Sequence, residues 1–125
     1  MNILGVDFGS KNIGLAWVET GVGVVLPFGV IKNEKDKALV EFAALINKEG
    51  IEQIVFGLPV NLDGGENANT KKVRMFAGRL KEKTGTDIYF ESEIFSSRQA
   101  DRAAGGASRD EKAAMIILED YLKKK

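Results

Sequence analysis

The sequence predicts an α/β domain built on a five-stranded mixed sheet flanked by helices. Three observations predict it. Three apolar runs joined by tight Gly-containing turns open the chain. The hydrophobic spacing then becomes helical. Two more short apolar runs follow, each reached through a helical segment. A chain of 125 residues is short enough to read as one domain, 1–125, around a modest core.

The elements follow in order. Ile3 to Phe8 is a short apolar run, consistent with a strand buried on both faces. Gly9-Ser10 is a turn signal, and Ile13 to Val18 is a second strand. Gly21-Val22-Gly23 marks another turn before a third strand over Val24 to Ile31. Pro27 inside that strand argues for an edge position or a bulge. Three strands with tight connections read as an antiparallel meander. Ala38, Leu39, Phe42, Leu45 and Ile46 then recur at helical spacing, with Gly50 ending the helix. Ile51 to Phe56 is a fourth strand, closed by Gly57-Leu58-Pro59. Asn61 to Asn69 is polar and Gly-rich, hence a loop. A second helix begins at Thr70-Lys71-Lys72-Val73-Arg74, with Val73, Phe76, Ala77 and Leu80 on one face and Gly85 just past its end. Ile88 to Phe90 is a fifth strand. Ser97 to Ala104 is expected as a short helix broken by Gly105-Gly106. Ser108 and Glu111 form a capping box before a last helix running to about Lys123. A meander followed by helical crossovers to the fourth and fifth strands is compatible with a ribonuclease H-like domain.

Composition narrows the chemistry. There is no Cys and no His, which removes disulfides, thiolate catalysis, Cys-based zinc sites and the Ser-His-Asp triad. Catalysis must use carboxylates, Lys, Tyr, hydroxyls or a hard metal ion. Formal net charge is zero, so no global field announces nucleic acid. The charge is nevertheless uneven. Residues 1–70 carry five basic and nine acidic side chains, and residues 71–125 carry thirteen and nine. No apolar run approaches a membrane span. The opening residues lack a charged region and cleavage site, so no signal peptide is expected and the cytoplasm is the expected location.

Three acids stand at unusual positions. Asp7 ends the first strand between Val6 and Phe8, where a carboxylate is costly unless solvated, paired or metal-bound. The plainer reading is that it caps the Gly9-Ser10 turn. Asp110 shares a helical face with Ala114, Ile117 and Tyr121, so it could point at the end of the sheet. It would also suit the helix dipole, although Ser108 and Glu111 already suffice as the cap. Glu91 and Glu93 alternate after the fifth strand, and a solvated strand end is their plainer reading. Asp7, Glu93 and Asp110 gain weight together, because clustered carboxylates repel unless Mg²⁺ or Mn²⁺ holds them. The basic second helix and the Asn61–Asn69 loop suit a phosphate-rich partner, or equally a solvated face and a plain turn. Trp17 reads as core.

Three stretches resemble one family. Ile3-Leu4-Gly5-Val6-Asp7-Phe8-Gly9-Ser10-Lys11-Asn12-Ile13-Gly14-Leu15-Ala16 is similar to the opening pattern of the YqgF/RuvX family of Holliday-junction-resolvase-like or pre-16S rRNA nucleases. Val55-Phe56-Gly57-Leu58-Pro59-Val60-Asn61-Leu62-Asp63-Gly64 resembles its second motif, and Asp110-Glu111-Lys112-Ala113-Ala114-Met115-Ile116-Ile117-Leu118 its last helix. The resemblance implies a ribonuclease H-like fold and metal-assisted phosphodiester hydrolysis in RNA or branched DNA. By position, Asp7, Glu93 and Asp110 match the family's acids and are the implied catalytic residues and ligands of Mg²⁺ or Mn²⁺. Gly9, Ser10, Lys11, Asn61, Lys71, Arg74, Ser97 and Arg98 are the expected nucleic-acid contacts. The chain departs from the pattern at Ser92 and Ile94 beside Glu93, at Phe8, and in a short Arg98–Arg109 stretch without the usual basic cluster. Those departures motivate a second expectation, a binding module without catalysis. A third is a nucleotide-binding lobe of the actin/Hsp70 kind, from Asp7-x-Gly9 followed by Gly14.

Overall fold

The computed structural model describes residues 1–93 and 108–124. Its strands are β1 (Asn2–Phe8), β2 (Asn12–Glu19), β3 (Leu26–Lys32), β4 (Gln53–Pro59) and β5 (Asp87–Glu93). Its helices are α1 (Asp36–Glu49), α2 (Ala68–Thr84) and α3 (Arg109–Lys123). The strands form one sheet in the order β3-β2-β1-β4-β5. β1 pairs antiparallel with β2 and parallel with β4, β2 antiparallel with β3, and β4 parallel with β5. This is the predicted mixed sheet. The expected helix over 97–104 lies outside the described residues.

Each face of the sheet has its own core. Leu4, Val6, Ile13, Leu15, Ile54, Phe56 and Leu58 project toward α1 and α2, which contribute Ala38, Phe42, Ile46, Val73, Phe76 and Leu80. Ile3, Ala16, Val18 and Val55 project the other way, onto Ala114, Met115, Ile117, Leu118 and Tyr121 of α3. Alternation along a strand produces both sets, and the central strands read as continuous apolar runs because both faces are covered.

Pro27 behaves as its chemistry requires. β3 is an edge strand, and its register against β2 shifts between Leu15 and Ala16, where Gly29 and Pro27 are the successive partners. The missing N–H therefore breaks no interior ladder. The third strand starts at Leu26, not Val24. The fourth runs from Gln53 through Pro59, so Gly57-Leu58-Pro59 belongs to the strand instead of closing it. The fifth continues to Glu93. α2 begins earlier than Thr70, because Asn67 caps it by accepting from the Asn69 and Thr70 N–H groups. Gly50 and Gly85 end α1 and α2 in the left-handed conformation. Trp17 is half-buried against Phe28 at the margin of the larger core.

Candidate active site

Asp7 is the penultimate residue of β1. Its neighbours Val6 and Phe8 turn toward the α1/α2 core, where Phe8 meets the Phe76 ring at 4.8 Å. Alternation therefore turns Asp7 toward α3. Its antiparallel partner is Gly14, and the first turn of α3 rests on that glycine. A Cβ at Gly14 would lie 2.0 Å from the Asp110 carbonyl oxygen and 2.9 Å from Asp110 Cβ. Only a residue without a side chain lets the helix approach this closely. Ser108 fixes where the helix starts: its hydroxyl accepts from the Glu111 N–H (3.2 Å), and Glu111 Oε1 accepts from the Ser108 N–H (3.0 Å). Glu111 Oε2 also accepts from the Gly29 N–H of β3 (2.7 Å), tying the helix start to the sheet.

Asp7 and Asp110 thus face one cavity of about 790 Å³ at the C-terminal ends of β1, β4 and β5. Burial, and next the Asp110 charge, push the Asp7 carboxyl up to about 6. The turn after Asp7 is closed by the backbone, Gly9 N–H donating to the Asn12 carbonyl (3.0 Å). Asn33 Nδ2 donates to the Gly9 carbonyl (2.8 Å). Gly9 and Ser10 line the cavity beside the two acids.

Glu93 lines the same cavity but has different electrostatic neighbours. Its carboxyl is pushed up to about 8, first by burial, then by a hydrogen bond with Asp120 and the charges of Asp120 and Glu91, against a smaller opposing effect of Lys124. Its buried Oε1 has no donor from a neutral or cationic group beside it. Burial and the neighbouring Asp120 both favour the protonated form of Glu93. Glu91 is only 5% exposed and pairs with the exposed Lys124; it is a buried acid with an ion partner at the surface, not a solvated strand end. Among the described residues no three acidic side chains lie close enough to hold one metal ion. The structure brings Asp7 and Asp110 together and leaves Glu93 facing Asp120.

The loop after β4 fixes the far wall. The Thr70 hydroxyl donates to the Pro59 carbonyl, and the Asn67 N–H donates to Thr70 Oγ1 (3.0 Å). Asn67 Nδ2 donates to Asn61 Oδ1 (2.9 Å), so Asn61 serves the loop. These bonds set Asn69 and Lys72 against the cavity. Lys11, Asn61, Lys71 and Arg74 are not among its lining residues. Arg74 instead grips Glu66 through Nε and Nη2 (3.0 and 2.7 Å) and lies over the Phe90 ring. Ser97 and Arg98 lie outside the described residues. Of the cations that do line the cavity, Lys72 belongs to the basic start of the second helix that the sequence singles out, whereas Lys35 and Arg109 had no sequence signal. Which end of which helix meets the sheet edge is a tertiary fact.

The donor set is oxygen-only: two carboxylates that repel when both are ionised. This fits a hard divalent cation, which Mg²⁺ exemplifies by accepting one or two protein carboxylates and keeping much of its water.

Known proteins align with the whole of this arrangement. A family model described as "RuvX: Holliday junction resolvase" matches residues 1–124. A protein of Nitratidesulfovibrio vulgaris (strain DSM 19637 / Miyazaki F) named "Putative pre-16S rRNA nuclease" is 34% identical over 132 aligned residues, covering 98% of this chain and 93% of that protein. The RuvC of T. thermophilus, solved in complex with a Holliday junction substrate, superposes with a TM-score of 0.63 at 13% identity, over 99% of this chain and 96% of that one. The fowlpox virus Holliday junction resolvase superposes with a TM-score of 0.63 at 11% identity, over the full length of both chains. The fold is ribonuclease H-like, as the order of elements predicts.

Proposed function

Because the chain belongs to the RuvX family, we propose that it is a divalent-metal-dependent nuclease hydrolysing phosphodiester bonds in structured nucleic acid. Pre-16S rRNA is the first substrate to test, given its relatives' name, and Holliday-junction-type DNA the second. The observation that carries the reading is the convergence of Asp7 and Asp110 on one cavity. Two ionised acids held together at a sheet edge destabilise a fold, and a cation with an anionic substrate is what relieves them.

Asp7 and Asp110 would hold Mg²⁺ or Mn²⁺, with Glu93 lining the same cavity apart from the pair. The ion, when bound, supplies charge stabilisation at a phosphoryl oxygen and a more acidic water. The chain's own residues do the remainder. Gly14 holds Asp110 against Asp7. The Gly9-Ser10 turn leaves room for backbone phosphate beside the acids. Glu93, its carboxyl pushed up to about 8 by burial and the neighbouring Asp120, could hold a proton for a departing oxyanion. Lys11, Lys71 and Arg74 lie outside the cavity, where they could meet phosphates only away from the cleaved bond.

The test is cleavage of a pre-16S rRNA fragment and of a four-way DNA junction with Mg²⁺ or Mn²⁺. Asp7→Asn and Asp110→Asn should fold normally and lose at least about 100-fold in rate, the usual consequence of removing an electrostatic centre. Wild-type protein that cuts neither substrate with either metal overturns the reading. The turn of Glu93 toward Asp120 favours one alternative, a binding module without catalysis. Salt-sensitive binding with no turnover, unchanged by Asp7→Asn, would support it.

A further inference from the structure

We infer that Lys35, Lys72 and Arg109 form a three-point phosphate clamp around the acid pair, so that the bound strand runs from the start of α1 across the cavity to the start of α3. The inference rests on the nucleic-acid reading above and assigns the residues that would grip the backbone. All three side chains line the cavity that holds Asp7 and Asp110. They come from three different helices, at or near the first turn of each. None is ion-paired with a described carboxylate. Lys37, Arg74, Arg79 and Lys81 of α1 and α2 are paired, with Glu34, Glu66, Asp36 and Asp87, while the other lysines of the three helices with no described ion pair, Lys48, Lys71, Lys83, Lys112 and Lys123, do not line the cavity.

Stability does not account for the placement. Helix starts carry a partial positive charge and favour acids, while cations belong at helix ends. Three cations at such places oppose the dipoles, and no described ion pair joins them to the acids of the cavity. Lys35 is the sharper case. Its backbone sits at φ 53°, ψ −112°, and its side chain makes no capping bond. It is the one described non-glycine residue at positive φ. Glycine would occupy the position without strain, yet the chain carries a lysine whose side chain borders the cavity. A polyanion lying across the rim would satisfy all three charges. Its backbone phosphates are common to RNA and DNA, and the acids below would meet the bond between two gripped phosphates.

Binding is measured by fluorescence anisotropy in EDTA, with a labelled RNA duplex and a labelled four-way DNA junction, from 50 to 300 mM salt. Lys35→Gly, Lys72→Ala and Arg109→Ala should each lower the slope of log K against log salt by about 1. Each should weaken binding roughly 5- to 10-fold near 0.1 M salt. Lys35→Gly should melt no lower than wild type, which separates lost grip from lost fold, and Lys35→Arg should restore the slope. Lys48→Ala and Lys83→Ala remove the same charge from the opposite ends of α1 and α2 and should leave the slope unchanged. Equal losses from the two sets of variants, or an unchanged slope for Lys35→Gly, overturn the clamp while leaving the nucleic-acid reading intact. A wild-type protein that binds neither probe overturns both. A clamp that grips one probe and not the other identifies which nucleic acid the rim fits.

Discussion

Asp7 is held in a state it would not choose alone. Its folded carboxyl titrates near 6 against an ordinary value of 3.8, through burial and then the Asp110 charge. The native state therefore binds a proton that the unfolded chain has already released between those values. Its contribution to stability is fully present below pH 3.8 and lost as pH rises through 6. By neutral pH the difference amounts to at most about 3 kcal/mol. Asp7→Asn should accordingly melt higher than wild type at pH 7.5 in EDTA, by on the order of 1–3 kcal/mol, and show no advantage at pH 4. Millimolar Mg²⁺ should raise the wild-type melting temperature at pH 7.5 and leave that of Asp7→Asn in place. A thermal-melt series at the two pH values, with and without metal, checks both statements. An acid between two apolar strand residues is visible in the amino-acid string, which is why Asp7 stands out there. Glu91 does not, because its burial and its partner Lys124, distant along the chain, arise only in the folded molecule.

α3 lies on a track of missing side chains. Gly5, Gly14 and Gly57 sit on three adjacent strands, and Cβ atoms there would meet Leu118 at 3.0 Å, the Asp110 carbonyl at 2.0 Å and Ile117 at 2.3 Å. The Ile117 contact is with the end of a flexible side chain, but the Asp110 contact is with backbone. Gly14→Ala must therefore lift the first turn of the helix off the sheet. It should cost about 1–3 kcal/mol or more, as overpacking does, and separate Asp110 from Asp7. Gly78, on the solvent side of α2, meets nothing within 4 Å. Gly78→Ala should instead stabilise by about 0.5–1 kcal/mol through helix propensity. Urea unfolding of the two variants checks the opposite signs, and Gly14→Ala should also lower any metal-dependent shift in melting. The helices themselves were readable from apolar spacing and their caps. The extension of β4 through Pro59 was not. Gly-Leu-Pro carries turn chemistry locally, and only pairing with β5 keeps it extended.

The sheet as a whole places β1 at its centre, with parallel and antiparallel partners on either side. Ile3 and Leu4, Val6, Val55 and Phe56 are nearly or fully buried, whereas Leu26, Val30, Tyr89 and Phe90 on the two edge strands are exposed. Opening should follow that gradient. Hydrogen exchange monitored by mass spectrometry should find β1, β2 and β4 slowest and β3 and β5 fastest; uniform protection across the sheet would contradict it. The order of elements and the two-sided core could be inferred from apolar runs and their spacing. The pairing of Glu93 with Asp120, and the gathering of cations at one rim, could not, because each depends on how separate helices dock on one sheet.

The two acids that define the cavity stand near opposite ends of the chain, one on the first strand and the other on the last helix. During synthesis the early strands leave the ribosome long before α3 can settle on its glycine track. A growing polypeptide surrounded by ribosomal RNA therefore carries only half of the acid pair. On the reading proposed above, competence to cut would wait until α3 has docked on its glycine track.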